Sequence, residues 1–292
     1  MQLKRLLKGA RYAASVSYFG STIASLMLEV TDLRVVYPNG TEALKSVSLT
    51  LRDREVVAVI GRSGAGKSTL LRCINGMQKP TAGTIILDGQ DITAMNERQL
   101  RELRRHIGFI WQEYNLVDRL SVIMNVLTGR LGYNRSLLGL FGYFGREHRE
   151  LAIRSLERVN MLQHAYQRAD QLSGGEKQRV SIARAITQQP KILLADEPIA
   201  SLDPELSWQV MSDLARVARE TGVPTLINIH QVELGKAFAD RLVGIARGVV
   251  VFNGRPEELD AAAMDRIYRF DKDEPDAVPV SVMQPVPVQV GD

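Results

Sequence analysis

The apolar run Glu55–Ile60 (EVVAVI) leads without a break into Gly61-Arg62-Ser63-Gly64-Ala65-Gly66-Lys67-Ser68. Few folds accept that order. A short, continuous apolar run suits a parallel strand buried on both faces, and GxxxxGK[ST] placed directly after it predicts a tight loop followed by a helix, here through about Met77. The loop glycines let successive N–H groups wrap a β-phosphate, and Lys67 reaches the β- and γ-oxygens. Ser68 offers its hydroxyl to Mg²⁺, and Thr69 is available to the α-phosphate.

A second glycine-bearing run, LSGGEKQRV (Leu172–Val180), stands about twenty residues before another apolar strand. Ser173, Gly174 and Gly175 fall at the predicted start of a helix, Glu176 to about Thr187, that stops before Pro190. Helix starts present unpaired N–H groups and a partial positive charge, so this is a second surface able to read phosphate. The strand that follows ends in Asp196-Glu197 (ILLADEP), at the carboxyl end where parallel sheets gather ligands. There Asp196 is suited to hold Mg²⁺ through water, and Glu197 to polarise a water for in-line attack on the γ-phosphorus.

Three further residues are candidates by position. His230 ends the predicted strand Val223–Ile229 at the same sheet edge as Glu197, within reach of a γ-phosphate. Gln112, after the apolar strand His106–Trp111, is a neutral amide able to touch Mg²⁺ and to move when the γ-phosphate leaves. Tyr37 offers a ring face for stacking adenine, or is simply a strand-edge aromatic.

Composition narrows the class. The chain has 292 residues, 45% of them hydrophobic, enough for one large domain or a domain with a subdomain. A net charge of +4 invites a nucleic-acid partner, but Lys4, Arg5, Lys8 and Arg11 supply all of it within residues 1–26, which hold no acid. The remainder is neutral, so the pI of 9.2 reports a terminal segment and no nucleic-acid footprint. That segment continues into a mildly apolar, serine-broken stretch to Leu28. It reads as an over-extended start or a disordered extension, too polar and short for a transmembrane helix. The lone cysteine, Cys73, excludes a disulfide framework and suits a plain core position.

Strand-like runs at Leu28–Tyr37, Ala43–Leu51 and Thr84–Leu87 flank the first loop. Residues of about 95–171 are richer in helical patterning. Arg98, Arg101, Arg104 and Arg105 crowd its start, read as a solvated helix face. Gly129–Gly145 holds five glycines among Leu, Phe and Tyr, the composition of a partner surface or of a packed loop. Strands then return at Ile192–Ala195, Leu242–Ala246 and Val249–Phe252, with a helix over Glu205–Glu220. From about Lys272 four prolines and few aromatics leave a segment expected to lack structure. No internal repeat is evident.

Tyr37, GRSGAGKS, Gln112, LSGGEKQRV, ILLADEP, Ser201-Leu202-Asp203 and His230 stand in the order seen in the ATP-binding subunits of ABC transporters, and the chain resembles that family over about residues 28–260. The resemblance implies an α/β P-loop ATPase core over 27–271, with an N-terminal antiparallel β subdomain and an α-helical subdomain at about 95–171. It implies ATP and Mg²⁺ as cofactors and a head-to-tail dimer. The phosphate loop of one copy and Ser173, Gly174 and Gly175 of the other would enclose each ATP, with Asp203 linking the two sites. Two phosphate-reading surfaces on one chain then make sense, because neither completes a site alone.

Finer features are similar to the phosphonate importers of that family: YNLVDRLSVIMNVLTGRLG (114–132), the insert Tyr133–Phe144, HQVELGKAFADRLVGIARG (230–248), and Ile199-Ala200 where Thr-Ser is commoner. Glu176-Lys177 replaces two glutamines and leaves Ser173 and both glycines intact. This likeness implies a peripheral subunit on the cytoplasmic face of the cell membrane, partnered by membrane permease subunits and, indirectly, by an external substrate-binding protein. Phosphite, phosphate or another substrate is the alternative cargo. A non-transport ATPase of chromosome maintenance would need a long coiled coil, and the 103 residues from Thr69 to Leu172 leave no room for one. One of translation would normally need two cassettes.

Overall fold

The computed structural model describes residues 26–133 and 142–269. The expectations for the N-terminal extension, the middle of the aromatic insert (134–141) and the segment from Lys272 lie outside the described residues.

A ten-stranded sheet runs through the molecule. Its antiparallel end comprises β1 (Leu26–Val36), β2 (Glu42–Arg52), β4 (Ala82–Leu87) and the short β5 (Gln90–Asp91). Its parallel part comprises β3 (Val56–Ile60), β6 (Ile107–Ile110), β7 (Ile192–Asp196), β8 (Thr225–Asn228) and β9 (Arg241–Ala246). β10 (Val249–Gly254) returns antiparallel to β9 and touches β2, joining the two parts. The full order is β5-β4-β1-β2-β10-β9-β3-β8-β7-β6.

The continuous apolar runs are explained by two cores, one on each face. On β3, Val56, Ala58 and Ile60 enter one core while Val57 and Val59 enter the other. Leu193 and Ala195 part from Ile192 and Leu194 on β7 in the same way. Side chains alternate along a strand, so a strand covered on both faces must be apolar at every position. On β1 the buried residues are Leu28, Val30, Leu33 and Val35, a two-residue period that slips once. The slip is a register irregularity between Val30 and Leu33, with Asp32 in the left-handed region at φ 47°.

Helices cover the faces. α1 (Lys67–Ile74) follows the glycine loop and stops three residues short of the expected Met77. Arg104 closes that end by donating to the carbonyls of Asn75 (3.2 Å) and Gly76 (2.7 Å). The expected solvated arginine face is therefore split: Arg98 and Arg101, on α2 (Glu97–Leu103), are exposed, whereas Arg104 turns inward. Segment 95–171 also supplies β6, alongside α3 (Val122–Leu127) and α4 (Arg146–Arg158). These last two pack on α5 (Gly174–Thr187) through Val126, Ala152, Leu156 and Val180. The described ends of the glycine-rich insert are partly packed, since Phe144 is buried and Arg130 lies 4.0 Å over the Tyr133 ring, while Leu131 and Tyr143 are exposed.

α6 (Pro204–Thr221) shows both ends written in sequence. Asp203 accepts from the Leu206 N–H at 2.9 Å, proline takes the first turn, and Gly222 ends it at φ 67°. The short α7 (Val232–Phe238) and α8 (Ala261–Tyr268) were not foreseen from the sequence. Cys73 is buried on α1, its thiol pushed up to about 12 by burial, as a core residue should be.

Candidate nucleotide-binding and hydrolysis site

The register of the parallel strands assembles the site. Ile110 lies opposite Ala195, Asp196 opposite Asn228, and Asn228 opposite Val59. The carboxyl ends of β6, β7, β8 and β3 therefore bring Gln112, Asp196-Glu197, His230 and Gly61 to one edge. The glycine loop needs its glycines for different reasons. A Cβ at Gly61 would fall inside the van der Waals shell of the Ile245 carbonyl oxygen. At Gly66, φ 107° combines with the Ala43 oxygen 2.5 Å from any Cβ. Arg62, Ser63 and Gly64 are exposed along the loop rim, with Ala65 buried beneath.

Lys67 is buried and donates to the carbonyls of Gly61 (2.8 Å) and Arg62 (2.9 Å). Burial lowers its pKa, and the charges of Glu197 and Asp196 oppose that shift. Ser68 Oγ donates to Asp196 Oδ1 at 2.8 Å. Asn228, which sequence reasoning passed over, donates from Nδ2 to the same carboxylate oxygen (2.6 Å) and to Ser68 Oγ (3.1 Å). Its Oδ1 is buried with no partner. The signal was present as the single amide in the apolar run TLINI. A hydroxyl and a carboxylate held together form an all-oxygen donor set, which fits a hard cation such as Mg²⁺ that shares its shell with phosphates.

Glu197 follows β7 with φ 49°, and its N–H is held by the Asn228 carbonyl at 3.0 Å. A non-glycine residue there costs on the order of 1–2 kcal/mol. The turn re-aims the carboxylate, whose Oε1 lies 2.6 Å from His230 Nε2. Glutamate and histidine thus form a hydrogen-bonded pair beside the Ser68–Asp196 pair, and such a pair can take and orient a proton. Gln112 is exposed two residues beyond β6. Tyr37 and Thr69, assigned separately to adenine and α-phosphate, are joined: Tyr37 Oη and Thr69 Oγ1 lie 3.1 Å apart.

Ser173, Gly174, Gly175 and Asp203 form a separate group. The helix that Ser173, Gly174 and Gly175 open begins two residues earlier than expected, because Ser173 caps it in a box with Glu176. Ser173 Oγ accepts the Glu176 N–H at 3.4 Å, and the Glu176 carboxylate accepts the Ser173 N–H at 2.8 Å. That backbone bond holds the Glu176 carboxyl below its usual range. A Cβ at Gly174 would lie 3.1 Å from Leu202, and one at Gly175 3.3 Å from Leu206, so this run packs against the segment carrying Asp203. Ser173 and Asp203 are exposed.

The family described as ABC transporter matches residues 44–200. The chain is similar to the phosphonates import ATP-binding protein PhnC 3 of Halalkalibacterium halodurans, 48% identical over 83% of this chain and 94% of that protein. It is likewise similar to the phosphonates import ATP-binding protein PhnC 2 of Haloarcula marismortui, 49% identical over 86% of this chain and 94% of that one. Among solved structures, a dimeric ATP-binding cassette bound to ADP and Pi in a post-hydrolysis state matches with TM-score 0.69 and 31% identity. That match covers 79% of this chain and 99% of the other. The ADP conformation of an ABC transporter cassette matches with TM-score 0.73 and 27% identity, over 83% and 97% respectively. With the two-part sheet, the glycine loop and the strand-end acids, these likenesses agree on one family: the chain belongs to the ABC transporters, as one of their ATP-binding cassettes.

Proposed function

We propose that this chain hydrolyses ATP to energise the import of phosphonates, as a pair of copies on the cytoplasmic face of the cell membrane. The observation that carries the hydrolytic reading is the Glu197–His230 hydrogen bond beside Ser68, Asp196 and Lys67. The names of the relatives support the cargo.

In this reading Gly61, Arg62, Ser63, Gly64, Ala65 and Gly66 wrap the phosphates with backbone N–H groups. Lys67 leaves its carbonyl partners for the β- and γ-oxygens, and Thr69 and Tyr37 address the α-phosphate and adenine. Ser68 and Asp196, with Gln112, would hold Mg²⁺. That ion supplies charge neutralisation across the β- and γ-phosphates when bound. Glu197 accepts a proton from the attacking water as its oxygen bonds to the γ-phosphorus, and the bond to the β,γ-bridging oxygen breaks. His230 holds the Glu197 carboxylate and faces the γ-phosphate. Ser173, Gly174, Gly175 and Asp203 act in the partner copy's site. Their position at two capped helix starts that pack together, Ser173–Gly175 on α5 and Asp203 on α6, supports that assignment.

Coupling to the permease subunits runs through Gln112 and the insert Gly129–Gly145. A groove of about 330 Å³, whose lining includes Trp111, Asn115, Gly129 and Arg184, joins the segments flanking Gln112 to the start of the insert and supports this reading. No helix among the described residues is long and apolar enough to cross a membrane.

Glu197→Gln tests the chemistry. It keeps ATP binding, abolishes turnover and accumulates a dimer; hydrolysis at the parent rate refutes Glu197 as the base. ATPase activity of the chain reconstituted with its permease and binding protein tests the cargo. Stimulation by an alkylphosphonate supports the reading, and stimulation by phosphate or phosphite alone replaces it.

A further inference from the structure

Arg184 stands at a junction that the reaction does not explain. It lies on α5, ten residues from Gly174 and so about 15 Å along the helix axis. Its Nη2 donates to the Tyr114 carbonyl at 2.8 Å and to Ser181 Oγ at 3.3 Å, and its Nη1 donates to the Asn115 carbonyl. Asn115 sits in the left-handed region at φ 50°, so the guanidinium closes a tight turn. Among the described residues no carboxylate charge acts on Arg184, and burial lowers its pKa. A half-buried cation answered only by carbonyls and a hydroxyl is costly. The guanidinium fork does suit two adjacent carbonyls, which a lysine cannot bridge.

Two further contacts surround it. Tyr114 also reaches the other end of α5, its hydroxyl 3.0 Å from where a Cβ of Gly174 would be. Gly129 packs so closely on α5 that a Cβ there would meet the Arg184 carbonyl oxygen at 2.5 Å. The loop carrying Gln112 is thus hydrogen-bonded to α5 at Arg184 and packs against it again at Gly174 through the Tyr114 hydroxyl.

From this we infer that Arg184 and Tyr114 are positioning residues that make the Gln112 loop and α5 move as one body. A displacement of Gln112 on loss of the γ-phosphate in one copy is then carried to Ser173–Gly175, which face the ATP of the other. This rests on the roles proposed above for Gln112 and the Ser173–Gly175 run, and it adds the mechanical link between them.

The test uses the full chain in a Glu197→Gln background, where ATP-driven dimers accumulate. Arg184→Lys keeps the charge and loses the double clamp. It should weaken ATP-driven dimerisation by about ten-fold, the scale of a typical coupling between sites. ATP binding by the monomer and Tm should stay at parental values. In a Trp208→Phe background, Trp111 fluorescence should still respond to ATP and should no longer track dimer formation. Tyr114→Phe, which keeps the carbonyl clamp and loses only the hydroxyl at Gly174, should give a smaller loss of the same kind. Parental dimerisation in Arg184→Lys overturns the link. So does a loss of dimerisation accompanied by an equal loss of monomer ATP binding or a collapse in Tm, which makes Arg184 a packing residue. If Glu197→Gln alone forms no dimer with ATP, the underlying assignment fails instead, and the two failures are distinguishable.

Discussion

Asn228→Leu separates the stability role of the buried amide from its role in holding Asp196. The native side chain is fully buried and gives two hydrogen bonds, one to the Asp196 carboxylate at 2.6 Å and one to Ser68 Oγ at 3.1 Å. Losing a bond to a charged group costs about 1.5–3 kcal/mol and losing a neutral one about 0.5–1.5. Against this, the substitution removes the buried Oδ1 that has no partner, and relieving it returns about 1–3 kcal/mol. The net expectation is a loss of about 1–2 kcal/mol, a fall in Tm of several degrees at most. The functional effect should be larger. Groups that orient a metal's carboxylate typically change its affinity by about 10–100-fold. ATP hydrolysis titrated with MgCl₂ at fixed ATP should show that rise in the apparent Mg²⁺ constant. Binding of a fluorescent ATP analogue in EDTA should be unchanged. A parental Mg²⁺ dependence combined with the expected fall in Tm would refute the positioning argument.

Glu197 and His230, bonded at 2.6 Å, should act as a unit: Glu197→Gln and His230→Ala should each lower kcat by about 10²–10⁴-fold, and the double variant should be no slower than the slower single one. Additive losses would show two independent roles. Gly66→Ala combines a left-handed φ with a clash against Ala43 and Leu44 and should abolish ATP binding measured by equilibrium dialysis; retained affinity would contradict the loop geometry. Cys73, raised from 9.0 to about 12 by burial, should resist thiol reagents at pH 8.5 until urea unfolds the chain. Because its folded pKa lies above the unfolded one, its contribution is complete below pH 9 and is lost as pH rises towards 12; labelling of the native protein at the unfolded rate would contradict this burial.

The sequence alone determined the parts whose backbone demands are local. Gly61–Ser68 after an all-apolar strand admits one loop, the alternating run at Leu28–Tyr37 is β1, and the periodic segment Glu205–Glu220 is α6. The predicted strand ends placed Glu197 and His230 at one sheet edge, and strand register brings Gln112 there as well. Tertiary structure alone decided which side chains meet. Asn228 reaches Ser68 across 160 residues of chain, because β8 lies between β3 and β7. Arg184 reaches Tyr114 across 70 residues, because α5 packs under the loop after β6. Periodicity shows that a residue is buried or that a turn is tight, since those are properties of one segment. Which two buried polar groups share a hydrogen bond depends on the order in which strands pair, and that order is set by the packing of the whole chain.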